Sequence, residues 1–251
     1  MRLVMTRAAM VVIAFLAAMP TAWSDDGPRT GYFKKSITPL ELLGERGAEA
    51  VSALFAADEE LTWQLSVPQS YDPAKPAGVI VFIGPRNWGG GKKAWVPVLE
   101  ERNIIWIGLV GGGYKKPMNE RMLRAILAPT VLLQDYKIDA DRLYVSGLSG
   151  GAHVAAILAT TKPETFKGAF FMGGALFWGD KMPPKIEIVR QNRFVFLVGF
   201  LDKAKMTVQR VAASYNAAGV VNTKLIMVPN LAQSMPGASY FDEALDYLDS
   251  R

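Results

Sequence analysis

The residues best suited to chemistry in this chain are Gly147-Leu148-Ser149-Gly150-Gly151. They follow the strand-like run Leu143-Tyr144-Val145 and precede a small-residue stretch that carries Ala152, Ala155 and Ala156. Where strand must become helix within about two residues, the central serine of a G-x-S-x-G is forced into a strained conformation. Side chains at Gly147 and Gly151 would collide across such a turn, and the serine hydroxyl would stand beside the free N–H groups of the helix. The Gly150 amide would then be placed to donate to an oxyanion. A tight strand-to-helix crossing with an incidental serine is the other reading of the same pattern.

A serine hydroxyl needs a base to take its proton, and the chain has one histidine, His153. His153 lies four residues after Ser149, about 6 Å further along a helix axis. Its ring is expected to pack at the rim of the sheet, with a role as a displaced base the alternative. Lys92 and Lys203 could serve a serine–lysine arrangement, but no spacing points to either. With no cysteine, disulfides, zinc fingers, iron–sulfur clusters and thiol nucleophiles are excluded. One histidine and no close carboxylate cluster imply no transition-metal site, and no cofactor is expected. Gly89-Gly90-Gly91-Lys92-Lys93 fails the phosphate-loop pattern, which needs Ser or Thr at position 93. That run and Gly111-Gly112-Gly113 read as turns above strand ends, where Trp88, Trp95 and Tyr114 are expected to line a pocket.

The elements that must hold these residues alternate. Strands are expected at Leu61–Val67, Val79–Ile83, Ile104–Val110, Arg142–Val145, Gly168–Met172, Arg193–Val198 and Thr223–Val228. Helical spacing runs through Leu40–Ala57, Asn119–Tyr136, Gly151–Thr161, Lys203–Ala218 and Ala238–Leu248. Runs such as Val79–Ile83 are apolar on both faces, as in a sheet covered on both sides. The alternation predicts an α/β fold with a mostly parallel sheet and helices on both faces. The long connection Gly173–Gln191, with Leu176, Phe177, Trp178 and Met182, either rims a pocket or packs on the sheet edge.

The segment Asp139-Ala140-Asp141-Arg142-Leu143-Tyr144-Val145-Ser146-Gly147-Leu148-Ser149-Gly150-Gly151 resembles the nucleophile segment of α/β-hydrolase esterases of the polyhydroxybutyrate-depolymerase and feruloyl-esterase type. The likeness extends more loosely from about Leu61 to the C-terminus. It implies an α/β-hydrolase fold with an eight-stranded sheet, carboxylic-ester hydrolysis, and a triad in the order Ser, Asp, His. Ser149 takes the nucleophile position. Asp202, in Gly199-Phe200-Leu201-Asp202, matches the acid, and is also a helix-capping residue by type. The flanks of the base position match, but Gln233 stands at or next to the place of the histidine. A glutamine amide can orient a hydroxyl and cannot shuttle a proton. The second oxyanion donor of such sites comes from the loop after Val79–Ile83. Pro85 has no N–H there, which leaves Arg86 or Asn87 beside Gly150.

The chain has 251 residues, 50% of them hydrophobic and 20% charged, a globular composition. Residues 1–24 have the pattern of a cleaved export signal: Arg2 and Arg7, the apolar run Ala8–Met19, Pro20, then Ala22-Trp23-Ser24. The apolar run is too short to span a bilayer. The expectation is a secreted or periplasmic protein with a single domain over 25–251. The formal charge of +5 includes Arg2 and Arg7, and the remaining basic residues are scattered, so no nucleic-acid partner is expected. Two functions are open. One is a serine ester hydrolase impaired or altered by the missing histidine. The other is a non-catalytic relative that binds a small ester, acyl or aryl ligand, or a protein.

Overall fold

The computed structural model describes residues 27–250. The leader expected over 1–24 lies outside them. Eight strands form one sheet: β1 (Gly31–Ile37), β2 (Leu61–Val67), β3 (Ala77–Ile83), β4 (Ile104–Leu109), β5 (Ile138–Leu148), β6 (Gly168–Met172), β7 (Arg193–Gly199) and β8 (Thr223–Val228). Their order is β1-β2-β4-β3-β5-β6-β7-β8. β2 is antiparallel to both β1 and β4, and every other neighbouring pair is parallel.

Side-chain alternation explains how the sheet is covered. On β3, Val79, Val81 and Ile83 enter one apolar cluster, while Ile80 and Phe82 enter the other. The first cluster is closed by α1 (Pro39–Val51), α3 (Met118–Leu133), α4 (Gly150–Thr161), α5 (Ile186–Gln191) and α6 (Lys205–Ala217). The second is closed by α2 (Val96–Glu101) and α7 (Ala238–Asp249). Strands predicted from continuous apolar runs match within three residues, apart from β5, which extends four residues further toward its N-terminus and three toward its C-terminus. β1 was not predicted, nor were α2 and α5. α1 spans less than the expected Leu40–Ala57 and breaks its helical path at Gly44, where φ is 68°.

The basic and aromatic residues of the elbow's own strand secure the last helix. Arg142 donates to both carboxylate oxygens of Asp249, at 2.9 and 2.8 Å. The Tyr144 hydroxyl donates to Asp249 Oδ1 at 2.8 Å. At the other end of α7, Trp95 Nε1 donates to the Pro236 carbonyl at 3.2 Å, and its ring stacks on Phe241 at 4.0 Å. Trp95 is fully buried, so it supports the loop before α7 rather than lining a pocket. The loop that carries Gln233 is therefore tied down at Pro236, where it enters α7.

Candidate active site

β5 ends at Leu148 and α4 begins at Gly150, so Ser149 alone joins strand to helix. Its φ of 54° and ψ of −122° are unusual for an L-residue, a conformation that costs about 1–3 kcal/mol and persists only where the surroundings impose it. They do so here: the Ser149 N–H donates to the Met172 carbonyl at 2.8 Å, and its carbonyl accepts from Ala152 N–H at 2.9 Å. A Cβ on Gly147 would lie 2.3 Å from the Gly151 carbonyl carbon, the expected collision across the turn. Gly151 is needed for a different reason. A Cβ there would lie 1.8 Å from the Ile83 carbonyl oxygen, on neighbouring β3.

Ser149 is half-buried. Gly150 is the first residue of a twelve-residue helix, so its N–H has no intrahelical acceptor. The loop after β3 reaches the same helix end, since the Cβ position of Gly151 also lies 3.3 Å from the Gly84 carbonyl carbon. That loop is braced by the loop after β4: Tyr114 N–H donates to the Pro85 carbonyl at 2.9 Å and Gly111 N–H to the Asn87 carbonyl at 3.0 Å. Arg86 is exposed between these anchors. The brace includes a residue that the sequence reading missed. Arg121 is only 5% exposed, and it donates to the Gly112 carbonyl at 2.8 Å and the Gly84 carbonyl at 3.1 Å. A charged residue next to the apolar pair Met122-Leu123 of a buried helix was the available signal.

His153 is half-buried on α4. Burial first, then the Arg121 cation, holds its pKa below the ordinary imidazole value. Among the described residues no hydrogen bond joins it to Ser149.

Gly173 and Gly174, at the end of β6, bring the other positions together. A Cβ on Gly174 would lie 2.7 Å from the Ser149 carbonyl oxygen. A Cβ on Gly173, whose φ is 55°, would lie 2.7 Å from Asp202 Oδ2 and 3.5 Å from Gln233 Cγ. Ser149, Asp202 and Gln233, from three separate loops, thus surround one pair of glycines. Asp202 is 5% exposed. Its Oδ1 accepts from Ala204 N–H at 2.8 Å. This bond closes a turn ahead of α6, which starts two residues later than expected. Its Oδ2 is buried and has no hydrogen-bond partner. Gln233 is exposed, and its Nε2 reaches only the Gly173 carbonyl, at 3.5 Å.

Exposed apolar side chains stand on the loops at this end of the sheet: Trp88 after β3, Tyr114 after β4, Leu176 and Met182 after β6, and Phe200 and Leu201 after β7. The long connection after β6 divides its apolar residues. Leu176 and Met182 are exposed, while Phe177 and Trp178 pack against Tyr215, with ring centroids 6.0 and 4.7 Å away.

No family model matches this chain, and no curated protein matches it. Many solved structures do. A protein of Bacteroides ovatus described as a dipeptidyl aminopeptidase IV superposes with a TM-score of 0.59 at 17% identity, over 87% of this chain and 35% of its own. A thermostable esterase gives 0.60 at 16% identity, over 86% of this chain and 62% of its own. The feruloyl esterase module from Clostridium thermocellum, complexed with sinapinate, gives 0.58 at 12% identity, over 92% of each. The chain therefore spans about a third of the first of these proteins and under two thirds of the second. The sheet order, with its antiparallel second strand and its helix launched from a left-handed serine, agrees with these superpositions: the chain has the α/β-hydrolase fold.

Proposed function

We propose that this protein binds a small carboxylic-ester or acyl ligand over Ser149 and turns it over slowly, as a serine carboxylesterase-type site without its imidazole. The observation that carries the reading is the buried, unpartnered Asp202 Oδ2 facing the Gly173–Gln233 side of the site. A carboxylate oxygen held dry without a donor costs about 1–3 kcal/mol. In a working triad that oxygen orients an imidazole. Here the acid is retained and the group it would orient is a glutamine.

In this mechanism the Ser149 hydroxyl lies against the ester carbonyl. The Gly150 N–H, with the Arg86 N–H, stabilises the developing oxyanion. Gln233 accepts a hydrogen bond from the hydroxyl without taking its proton. As Ser149 Oγ bonds to the carbonyl carbon, water slowly takes that proton and another is given to the departing alcohol. A second water then hydrolyses the acyl-serine to release the acid. What is left is the contribution of binding and the oxyanion donors, roughly 10³–10⁴ over water. The apolar rim of Trp88, Tyr114, Leu176 and Phe200 supports an acyl or aryl group on the ligand. The leader-like residues 1–24 support export to the periplasm or beyond, with one domain from residue 25. No helix among the described residues is long and apolar enough to cross a membrane.

The test combines a fluorophosphonate probe with a panel of short p-nitrophenyl esters, comparing wild type with Ser149→Ala. Slow labelling at Ser149 and a small, Ser149-dependent rate are expected. A kcat in the ordinary enzyme range of about 1–10³ s⁻¹ would overturn the impairment. Equal rates in the two proteins, with the esters still competing for the site, would leave a ligand-binding protein without turnover.

A further inference from the structure

The face of the sheet covered by α2 and α7 alone is left open toward the β1–β2 edge, and a second cavity lies there. Its volume is about 490 Å³, within the roughly 300–1,000 Å³ typical of small-molecule sites. Its walls are Trp106 of β4, Ser66 of β2, Tyr32 of β1 and Val96 of α2. Trp106 is fully buried beneath the floor, with its Nε1 spent on the Gly89 carbonyl at 2.9 Å, so the apolar surface open to a ligand comes from Tyr32 and Val96. The Tyr32 ring is 61% exposed, and its hydroxyl lies over Gly90, where a Cβ would come within 2.3 Å of it. None of these residues belongs to the Ser149 site.

Two cations complete the lining, Lys92 and Lys93, and no carboxylate lines the cavity. Neither lysine pairs with an acidic side chain among the described residues. The nearby Glu100 carboxylate is engaged elsewhere, by the Gln69 and Ser70 amides and the Ser70 hydroxyl. Lys92 Nζ donates to the carbonyls of Met235 and Pro236, at 3.3 and 3.1 Å. An ammonium has three N–H donors. Two of them fix its position, and the third remains for a ligand. A positioned cation at the mouth of an aromatic and aliphatic cavity selects one ligand chemistry: an apolar body carrying a single negative charge.

We propose that this cavity is a binding site for an apolar monocarboxylate, with Tyr32 and Val96 around its body, Trp106 beneath the floor, and Lys92 and Lys93 on its carboxylate. The site does not depend on the function proposed for Ser149. Fatty and aromatic acids share this chemistry, and the experiment separates them.

Isothermal titration of the full chain with octanoate and with 4-phenylbutyrate tests the site, with octanol as the uncharged control. Saturable one-to-one binding of at least one acid is expected. Which of the two binds tighter identifies the source of the ligand. The Lys92→Gln/Lys93→Gln variant should weaken the acid about tenfold or more, the scale of one charge-assisted hydrogen bond, and leave octanol unchanged. Val96→Trp, at a position that is 36% exposed and so tolerant of a larger side chain, should fill the cavity and abolish binding of the acids. Ser149→Ala should bind as wild type does. No saturable binding by either acid, equal affinity in the lysine variant, or full binding in Val96→Trp would each overturn the proposal. Loss of acid binding in Ser149→Ala would move the site to the elbow and overturn it as well.

Discussion

On the proposed function, replacing Gln233 with histidine should supply a proton acceptor beside Ser149 and Asp202. Asp202 Oδ2 is buried and without a donor, and Gln233 Cγ borders the same glycine, Gly173. An imidazole at 233 can give its Nδ1–H to that oxygen and present Nε2 toward Ser149. General acid–base catalysis contributes about 10²–10⁴ in rate. Position 233 is exposed and its loop is tied mainly at Met235 and Pro236, so the gain falls at or just below the lower end of that range. The expected gain is roughly 10–100-fold in kcat, or about 1.4–2.7 kcal/mol off the barrier. The assay is initial-rate hydrolysis of p-nitrophenyl butyrate with the Ser149→Ala background subtracted. The gain should appear as pH rises through the imidazole value near about 6.5. It should largely vanish in Gln233→His/Asp202→Asn, because an amide cannot stabilise the imidazolium. A folded variant with turnover within about twofold of wild type would refute the reasoning, since residue 233 would then not face the hydroxyl.

Three further outcomes follow from the same geometry. Gly151→Ala would drive a methyl to 1.8 Å from the Ile83 carbonyl oxygen; the expected loss is about 3 kcal/mol, read as a Tm drop of roughly 6–12 °C, and an unchanged Tm would show that the strand end is free to retreat. Asp202→Asn removes an uncompensated buried charge; it should raise Tm by about 2–4 °C per kcal/mol gained, with a gain of about 1 kcal/mol expected, and a lower Tm would mean that Oδ2 has a donor in solution. His153 is held below its ordinary pKa by burial and by Arg121, so its neutral form belongs to the folded state. The stability this brings is complete above the unfolded pKa and is lost as pH falls through the folded one. Melting curves of His153→Gln should therefore fall less steeply than wild type below about pH 6.5, and parallel curves would remove His153 from the acid response.

What could be read from the sequence divides along physical lines. β3, β4, β6 and, past Arg193, β7 are covered on both faces, so their residues are apolar and visible as runs. β1 is an edge strand in which Phe33 is its one fully buried residue and Lys34 and Lys35 interrupt the pattern, so no run marks it. The elbow was legible because its steric demand is local, confined to Gly147, Ser149 and the strand and helix they join. The requirement at Gly151 was legible as a glycine but not in its cause, because the obstructing carbonyl belongs to Ile83, far away in the chain. Asp202 and Gln233 were placed by resemblance to the esterase pattern. That they meet across Gly173, and that one carboxylate oxygen is left without a donor, depends on three chain ends converging, which no periodicity encodes. The buried Arg121 brace depends likewise on two loops brought over one helix.

The dry, unmatched oxygen of Asp202 also bears on how this lineage can change. Glutamine and histidine codons differ only in their third base, so at the proposed site a single nucleotide change separates residue 233 from an imidazole. A sequence that had lost the acid, the elbow or the glycine pair would need several coordinated replacements to return. In this chain the strained serine, the buried acid and the glycine pair are all present, and the residue that the proposed relay would need is the one nearest in the genetic code.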